Sequence, residues 1–467
     1  MSDRSRISSR LPGRTWPPSC SVISRKGSTS SGLSITRLPD PTAQAAQRVS
    51  DLIDEDIKKE AARRHSESRR EVKVMLLGQA ESGKSTLQKQ FQLYHASQTL
   101  DLERPSWKIV VYANLIKAVR TILEELDYEF SLSVEEYPFP SEGPGPTDVA
   151  AQNEILELRR DLIPLISLED SLASELSDGI AFVGYRRGTL FPHQRGMFRA
   201  SNRPVTDLRE SSKALVATNR AAQVLGTTVH VIEALWRHRS VECMLRLRKL
   251  RLDESGLFFL NHVRRIAQID YIPNIDDVLH VRLQTVGVIE HSLKVNTVGG
   301  SYIWKIYDVG GTVNIQRPAW CSYFEDINAL IFLAPISAFD QYLEDDPLTN
   351  RIHDSLQLLT SICTNKLLKN AQLVLLLNKT DILRKKLEAG VQVCQYITSY
   401  GNRPNNFSTA AEYFRSHFLA AHKKKDIFQR RLYAHFTSML DVQATQLIIT
   451  SVGDVIMRKH IAHTGLA

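Results

Sequence analysis

Apolar residues along this chain fall into two rhythms, and the change between them divides it. Val72-Lys73-Val74-Met75-Leu76-Leu77, Tyr302 to Val309, Ala329 to Ala334 and Leu373 to Leu377 are short, nearly continuous apolar runs. Such runs are the pattern of strands buried on both faces. Helical stretches such as Pro347 to Leu368 separate them, which predicts a largely parallel sheet in an α/β fold. Val286 to Val295 predicts an antiparallel edge strand. Between about Ser97 and Ile275 the rhythm lengthens to three and four residues, as in Ile109, Ala113, Ile116, Val119 and Leu123, and again in Val231, Leu235, Val241 and Leu245. This spacing predicts an all-α domain over 97–275, inserted into an α/β domain made of 71–96 and 276–467.

Two further segments stand apart. From Ala43 to Arg70 there is no proline or glycine, and Ala46, Val49, Leu52, Ile53 and Ile57 recur at helical steps among charges. One amphipathic helix over 43–70 follows, its stripe facing either its own domain or a partner. Residues 1–42 are rich in Ser and Arg and broken by Pro12, Pro17, Pro18 and Pro39, which predicts a disordered tail. Its composition resembles a mitochondrial transit peptide, but the prolines interrupt the amphipathic helix that such a peptide needs. Within the helical domain, Tyr137 to Pro146 and Gly184 to Pro204 read as loops, so insertions are expected at about 130–230.

Composition narrows the class. Of 467 residues, 43% are hydrophobic and 24% charged, ordinary values for globular protein, so disorder is expected only locally. The net charge of +8 is spread along the chain rather than gathered into one run, and nucleic-acid binding is not expected. Cys20, Cys243, Cys321, Cys363 and Cys394 are odd in number, widely spaced and contain no C-x-x-C pair. Neither a disulfide framework nor a zinc site follows, and a cytoplasmic protein does. No run of about 18 apolar residues occurs, so membrane contact would be peripheral.

The chemistry begins where the first strand ends. Gly78-Gln79-Ala80-Glu81-Ser82-Gly83-Lys84-Ser85 matches G-x-x-x-x-G-K-S, with Thr86 following into a helix. Glycines let backbone N–H groups wrap phosphates, Lys84 neutralises them, and the Ser85 hydroxyl suits Mg²⁺. Asn378-Lys379-Thr380-Asp381 directly follows an apolar strand, where a carboxylate can accept both N–H donors of guanine; by itself the tetrapeptide is equally a surface turn. With the phosphate loop it favours GTP and GDP over ATP. A phosphate-loop ATPase or kinase is a third reading with no support beyond the loop itself.

At these motifs the chain resembles the α subunits of heterotrimeric G proteins. Trp107 to Tyr112, Arg265-Ile266-Ala267-Gln268 with Tyr271-Ile272-Pro273, and Asn350-Arg351-Ile352-His353-Asp354-Ser355 extend the likeness over about 43–467. The tail and much of 130–230 fall outside it. The resemblance implies a Ras-like GTPase domain with an inserted helical domain, GTP or GDP with Mg²⁺, and a receptor-driven switch. Its partners would be a beta-gamma dimer, a seven-helix receptor and an effector. It places the first switch at Asp277 to Thr285, with Arg282 as a built-in arginine finger, Thr285, Ser85 and Asp308 at the metal, and Gly311 at the γ-phosphate. Read from its residues alone, Arg282 is a solvated strand-edge charge. Ser255, Leu279, Lys379, Ser438 and Met439 join the nucleotide set by the same resemblance, and Glu81 is expected to pair with Arg282, as Glu254 is with Lys379.

Departures from the family pattern cluster on one step. Thr312 stands where the family has the glutamine that orients the attacking water, Ala80 replaces a glycine, and Pro318 restricts the second switch. Threonine is too short to contact both water and phosphate, so hydrolysis is expected to be slow. Gln316 is a substitute if the loop folds back. The alternative expectation is a scaffold that holds one nucleotide without a working hydrolytic cycle.

Overall fold

The computed structural model describes residues 50–60, 70–136, 149–176, 199–200, 212–247, 249–250, 252–285, 288–297, 300–310, 326–343 and 346–464. The chain divides into two compact units, 1–65 and 66–467. In the first, residues 50–60 are helical, with Leu52, Ile53 and Ile57 exposed along the stripe that the sequence predicts. The rest of the expected 43–70 helix and the tail lie outside the described residues, apart from Arg70 at a turn.

In the second unit, six strands make one sheet: β1 (Glu71–Gly78), β4 (Val288–Thr297), β5 (Gly300–Val309), β6 (Ala329–Pro335), β7 (Gln372–Asn378) and β8 (Leu432–Phe436), in the order β4-β5-β1-β6-β7-β8. All neighbours are parallel except β4 with β5. Every residue of β6 and β7 is buried, as their unbroken apolar runs require. Two more strands, β2 (Arg199–Ala200) and β3 (Gln284–Thr285), pair in parallel with each other. Periodicity had no purchase on these two-residue strands, nor on β8, whose Leu-Tyr-Ala-His-Phe is mostly half-buried.

Side chains of β1 alternate between two cores. Met75 and Leu77 join α7 (Arg351–Thr364), α8 (Thr380–Glu388) and α9 (Phe407–Lys425) through Leu358, Leu383 and Phe414. Val72, Val74 and Leu76 face α1 (Lys84–His95) and α10 (Val442–Thr464) through Phe91, Ile449 and Ile456. Each fully buried Leu or Phe contributes roughly 1.5–3 kcal/mol. A third core gathers α2 (Lys108–Glu136), α3 (Val149–Ile166), α4 (Ser212–Trp236), α5 (Glu254–Asn261) and α6 (Ile275–His280), among shorter helices. The helix expected over 347–368 begins later, at Arg351, because Asn350 caps it by accepting from Ile352 N at 2.8 Å. Parallel pairing of β1, β6 and β7 places the loops after β1 and β7 on the same edge of the sheet, where α/β folds hold ligands.

Candidate functional site

At the end of β1 the backbone turns through Gly78 at φ 149° and Gly83 at φ 99°. A Cβ on Gly78 would stand 2.4 Å from Leu333 O, and one on Gly83 would stand 2.3 Å from Asn378 Nδ2, so only glycine fits either place. Lys84 Nζ is buried and donates to Gly78 O at 2.9 Å and Gln79 O at 2.7 Å. Burial pulls its ammonium down to about 8, while the charge of Asp308 resists. Ser85 Oγ donates to Asp308 Oδ2 at 2.6 Å, bringing a hydroxyl and a carboxylate together at the foot of α1. Ser82 Oγ and, in the same loop, Gln79 Oε1 are buried with no hydrogen-bond partner among the described residues.

Asn378 ties three loops into one rim. Its Nδ2 donates to Ser82 O at 2.7 Å, and its Oδ1 accepts from Thr437 Oγ1 at 3.1 Å and Met439 N at 3.3 Å. Lys379 follows at φ 64°, the left-handed turn that starts α8, and Asp381 Oδ1 accepts from Ser438 Oγ at 2.8 Å. Gln90, which the motifs do not flag, holds Met439 O at 2.8 Å.

The third wall comes from α6. Asn274 and Asp277 cap that helix reciprocally, and Asp277 also receives two bonds from Arg265, at 2.7 and 2.6 Å, and one from Tyr271 Oη at 2.9 Å. Burial pushes the Asp277 carboxyl up, but these donors outweigh it and hold it below the usual range. Beyond the helix, Asn114 clamps the backbone of Arg282, accepting from its N at 2.9 Å and donating to its O at 3.1 Å. Ser255 Oγ braces the same joint through Asn114 Oδ1 and His280 O, at 2.8 and 2.7 Å. The Arg282 guanidinium then bonds Asp253 Oδ2 at 2.9 Å and Glu81 Oε1. Burial pushes Glu81 up, yet the charges of Arg282, Arg351 and Lys379 prevail and hold it at about 2. Across the crevice Lys379 Nζ meets Glu254 Oε1 at 2.6 Å.

This arrangement of a glycine loop, the Asn378–Asp381 tetrapeptide and an arginine-bearing segment after α6 agrees with comparison to known proteins: a sequence profile of the G-protein alpha subunit family matches residues 47–456. The chain belongs to that family. The guanine nucleotide-binding protein alpha-4 subunit of Mycosarcoma maydis is 31% identical over 488 aligned positions, covering 84% of this chain and 83% of the relative. As a G-protein alpha subunit, the protein is a GTP-binding signal transducer of receptor signalling, in a family of GTPases that use guanine nucleotide with Mg²⁺ and generally pair with beta-gamma and receptors.

In this alpha subunit the structure gathers Gly78, Glu81, Ser82, Gly83, Lys84, Ser85, Asp308, Asn378, Lys379, Asp381, Ser438, Met439, Arg282 and Ser255 around the crevice. Both expected ion pairs, Glu81 with Arg282 and Glu254 with Lys379, form. Thr86 lies in the first turn of α1, and Leu279 is buried in α6. Thr285 has its backbone in β3, while its side chain, together with Gly311, Thr312, Gln316 and Pro318, lies outside the described residues. Ala80 is half-buried, and its carbonyl accepts from Arg351 Nη2. The sequence reading did not single out Gln79, whose amide donates to Arg351 O at 2.9 Å and to Asp354 Oδ2, fastening the phosphate loop to α7. Arg351 and Asp354 belong to the Asn350 to Ser355 motif, so that motif was the available signal.

Proposed function

We propose that this alpha subunit exchanges GDP for GTP with Mg²⁺ in the crevice, couples a seven-helix receptor to an effector and a beta-gamma dimer, and hydrolyses GTP slowly. It acts in the cytoplasm, peripherally on the inner face of the plasma membrane. The observation that carries the binding half is the joining of the loops at Gly78–Ser85, Asn378–Asp381 and Ser438–Met439 by Asn378. The strictly glycine positions and the Ser82 hydroxyl, which has no partner among the described residues, suit a ligand of many acceptor oxygens. Ser85 and Asp308 are hard oxygen donors of the kind Mg²⁺ takes, with Thr285 as the third, and the ion would neutralise phosphate charge there.

In this reading Lys84 meets the phosphates, Asp381 reads guanine and Arg282 stabilises charge on the transferring phosphoryl group. Residues 71–96 and 276–467 are the GTPase domain, and 97–275 the inserted helical domain. Slow turn-off rests on Thr312, Ala80 and Pro318 together. Single-turnover hydrolysis of GTP by the purified chain tests it. Thr312→Gln is expected to raise the rate at least roughly tenfold, the lower end of what one positioned proton-handling group supplies. An unaltered rate sinks the slow-hydrolysis reading. If a non-hydrolysable GTP analogue leaves protease cleavage over 277–325 unchanged, the scaffold without a hydrolytic cycle is the better account.

A further inference from the structure

Away from the crevice, three side chains with ligand atoms of different kinds converge where the end of α7 meets the end of α9. The Cys363 thiol, the His422 imidazole and the Asp426 carboxylate each place a ligand atom within 4.8 Å of the other two. They are scattered in sequence, so no C-x-x-C or paired-histidine spacing announces them. His422 lies in the last turn of α9 and Asp426 is its C-cap, four positions on, which turns both to one side. Cys363 rises from the last turn of α7 and is fully buried. Arg430 accounts for part of this cluster. Its Nε and Nη2 bond Asp426 Oδ1, its backbone N bonds Oδ2, and its guanidinium also donates to Leu368 O at 2.7 Å and Cys363 O at 3.0 Å. No such contact accounts for His422: its Nε2 is shut away from solvent with no hydrogen-bond partner among the described residues. Asp426 Oδ2 faces it at 3.8 Å, too far for a hydrogen bond.

We propose that Cys363, His422 and Asp426 form a binding site for Zn²⁺, with water in the fourth position. Two atoms that bind one zinc ion at about 2.0–2.3 Å in a tetrahedron stand roughly 3–4 Å apart, the spacing that His422 Nε2 and Asp426 Oδ2 already have. Sulfur, imidazole nitrogen and carboxylate oxygen together are a zinc donor set, whereas Mg²⁺ and Ca²⁺ take oxygen. The ion takes the Nε2 lone pair, the remaining lone pair of Asp426 Oδ2 and the Cys363 sulfur, whose proton leaves to solvent. Arg430 then serves as the outer partner that orients the carboxylate and pins the Cys363 backbone. Its positive charge opposes the ion, and the thiolate formed on binding offsets that charge. If Cys363 were only a small buried apolar residue and Asp426 only the partner of Arg430, the Nε2 of His422 would have no task. The His422 side chain keeps 12% exposure, which leaves the ion a way in from solvent. Bound there, it staples α7 to α9. This site shares no residue with the nucleotide crevice and does not rest on the switching reading.

The test is titration of the full chain, stripped with a chelator and kept in excess Mg²⁺ and GDP, first with Co²⁺ as a coloured stand-in and then with Zn²⁺. Co²⁺ is expected to raise a near-ultraviolet cobalt–thiolate absorption that saturates at a single equivalent, and Zn²⁺ to abolish it. The oxygen donors Ser85 and Asp308 cannot give that band. C20S/C243S/C321S/C394S, which leaves Cys363 as the sole thiol, is expected to keep the band, and Cys363→Ser to lose it. His422→Ala is expected to weaken Zn²⁺ binding at least roughly a hundredfold, the upper end of what losing an outer partner costs. Zn²⁺ should also raise the thermal midpoint of the wild type and leave that of H422A unmoved. Retained GTP-analogue binding confirms that each variant is folded, and Cys363→Ala or His422→Gln takes the place of a variant that misfolds. Absence of the band in the wild type, its survival in C363S, its loss in the folded quadruple variant, or undiminished Zn²⁺ affinity in H422A overturns the proposal.

Discussion

Glu81 shows how one side chain can be held charged by its surroundings. Arg282, Arg351 and Lys379 keep its folded value near 2, below the ordinary carboxylate range, so its contribution to stability is present above the unfolded value and lost as pH falls towards 2. Urea unfolding of wild type and Glu81→Gln is expected to differ by about 1 kcal/mol at pH 7, discounted for partial solvent screening, and the curves should converge as pH drops below about 4. Asn378 is the more costly residue to lose. Its replacement by Ala leaves Ser82 O, Thr437 Oγ1 and Met439 N short of a buried partner, which should cost about 2–4 kcal/mol. Thermal unfolding measures that loss, and binding of a fluorescent GDP should weaken with it. Asn378 and Lys84 were legible in the sequence because their motifs are contiguous. Asn114 and Gln79 were not, since their partners lie 168 and 275 residues away and no local pattern announces such a contact.

At the scale of elements, α6 is six residues long and too short to be stable by itself, so its caps and clasp decide whether it forms. Asp277→Ala removes the partner of Arg265 and Tyr271 and the reciprocal cap, and should cost about 3–5 kcal/mol. Hydrogen exchange is the direct readout: amides over 274–283 are expected to lose protection while those of β6 keep theirs. The strands were read correctly where both faces are buried, as in β6 and β7, because an unbroken apolar run leaves little choice. β8 escaped because a half-buried edge strand carries a mixed pattern. The early start given to α7 came from reading apolar spacing without the Asn350 cap that ends the preceding turn.

Across residues 66–467, two cores on either side of the sheet and a third among the helices leave the crevice lined from both directions, with Lys379–Glu254 and Arg282–Glu81 spanning it. Glu254 is 43% exposed, so its pair is worth about 1 kcal/mol or less, and Glu254→Gln is expected to speed GDP release by less than about fivefold in a stopped-flow measurement. Among the described residues no helix is long and apolar enough to cross a membrane. The parallel pairing of Arg199–Ala200 with Gln284–Thr285 bears on how outsiders can read the strand beside Arg282. An extended peptide that sought to add itself to that side of Gln284–Thr285 would meet a rival tethered on the same polypeptide, at an effective concentration on the order of millimolar. Admission there is then set by mass action, and a micromolar stranger of equal intrinsic affinity would be turned away.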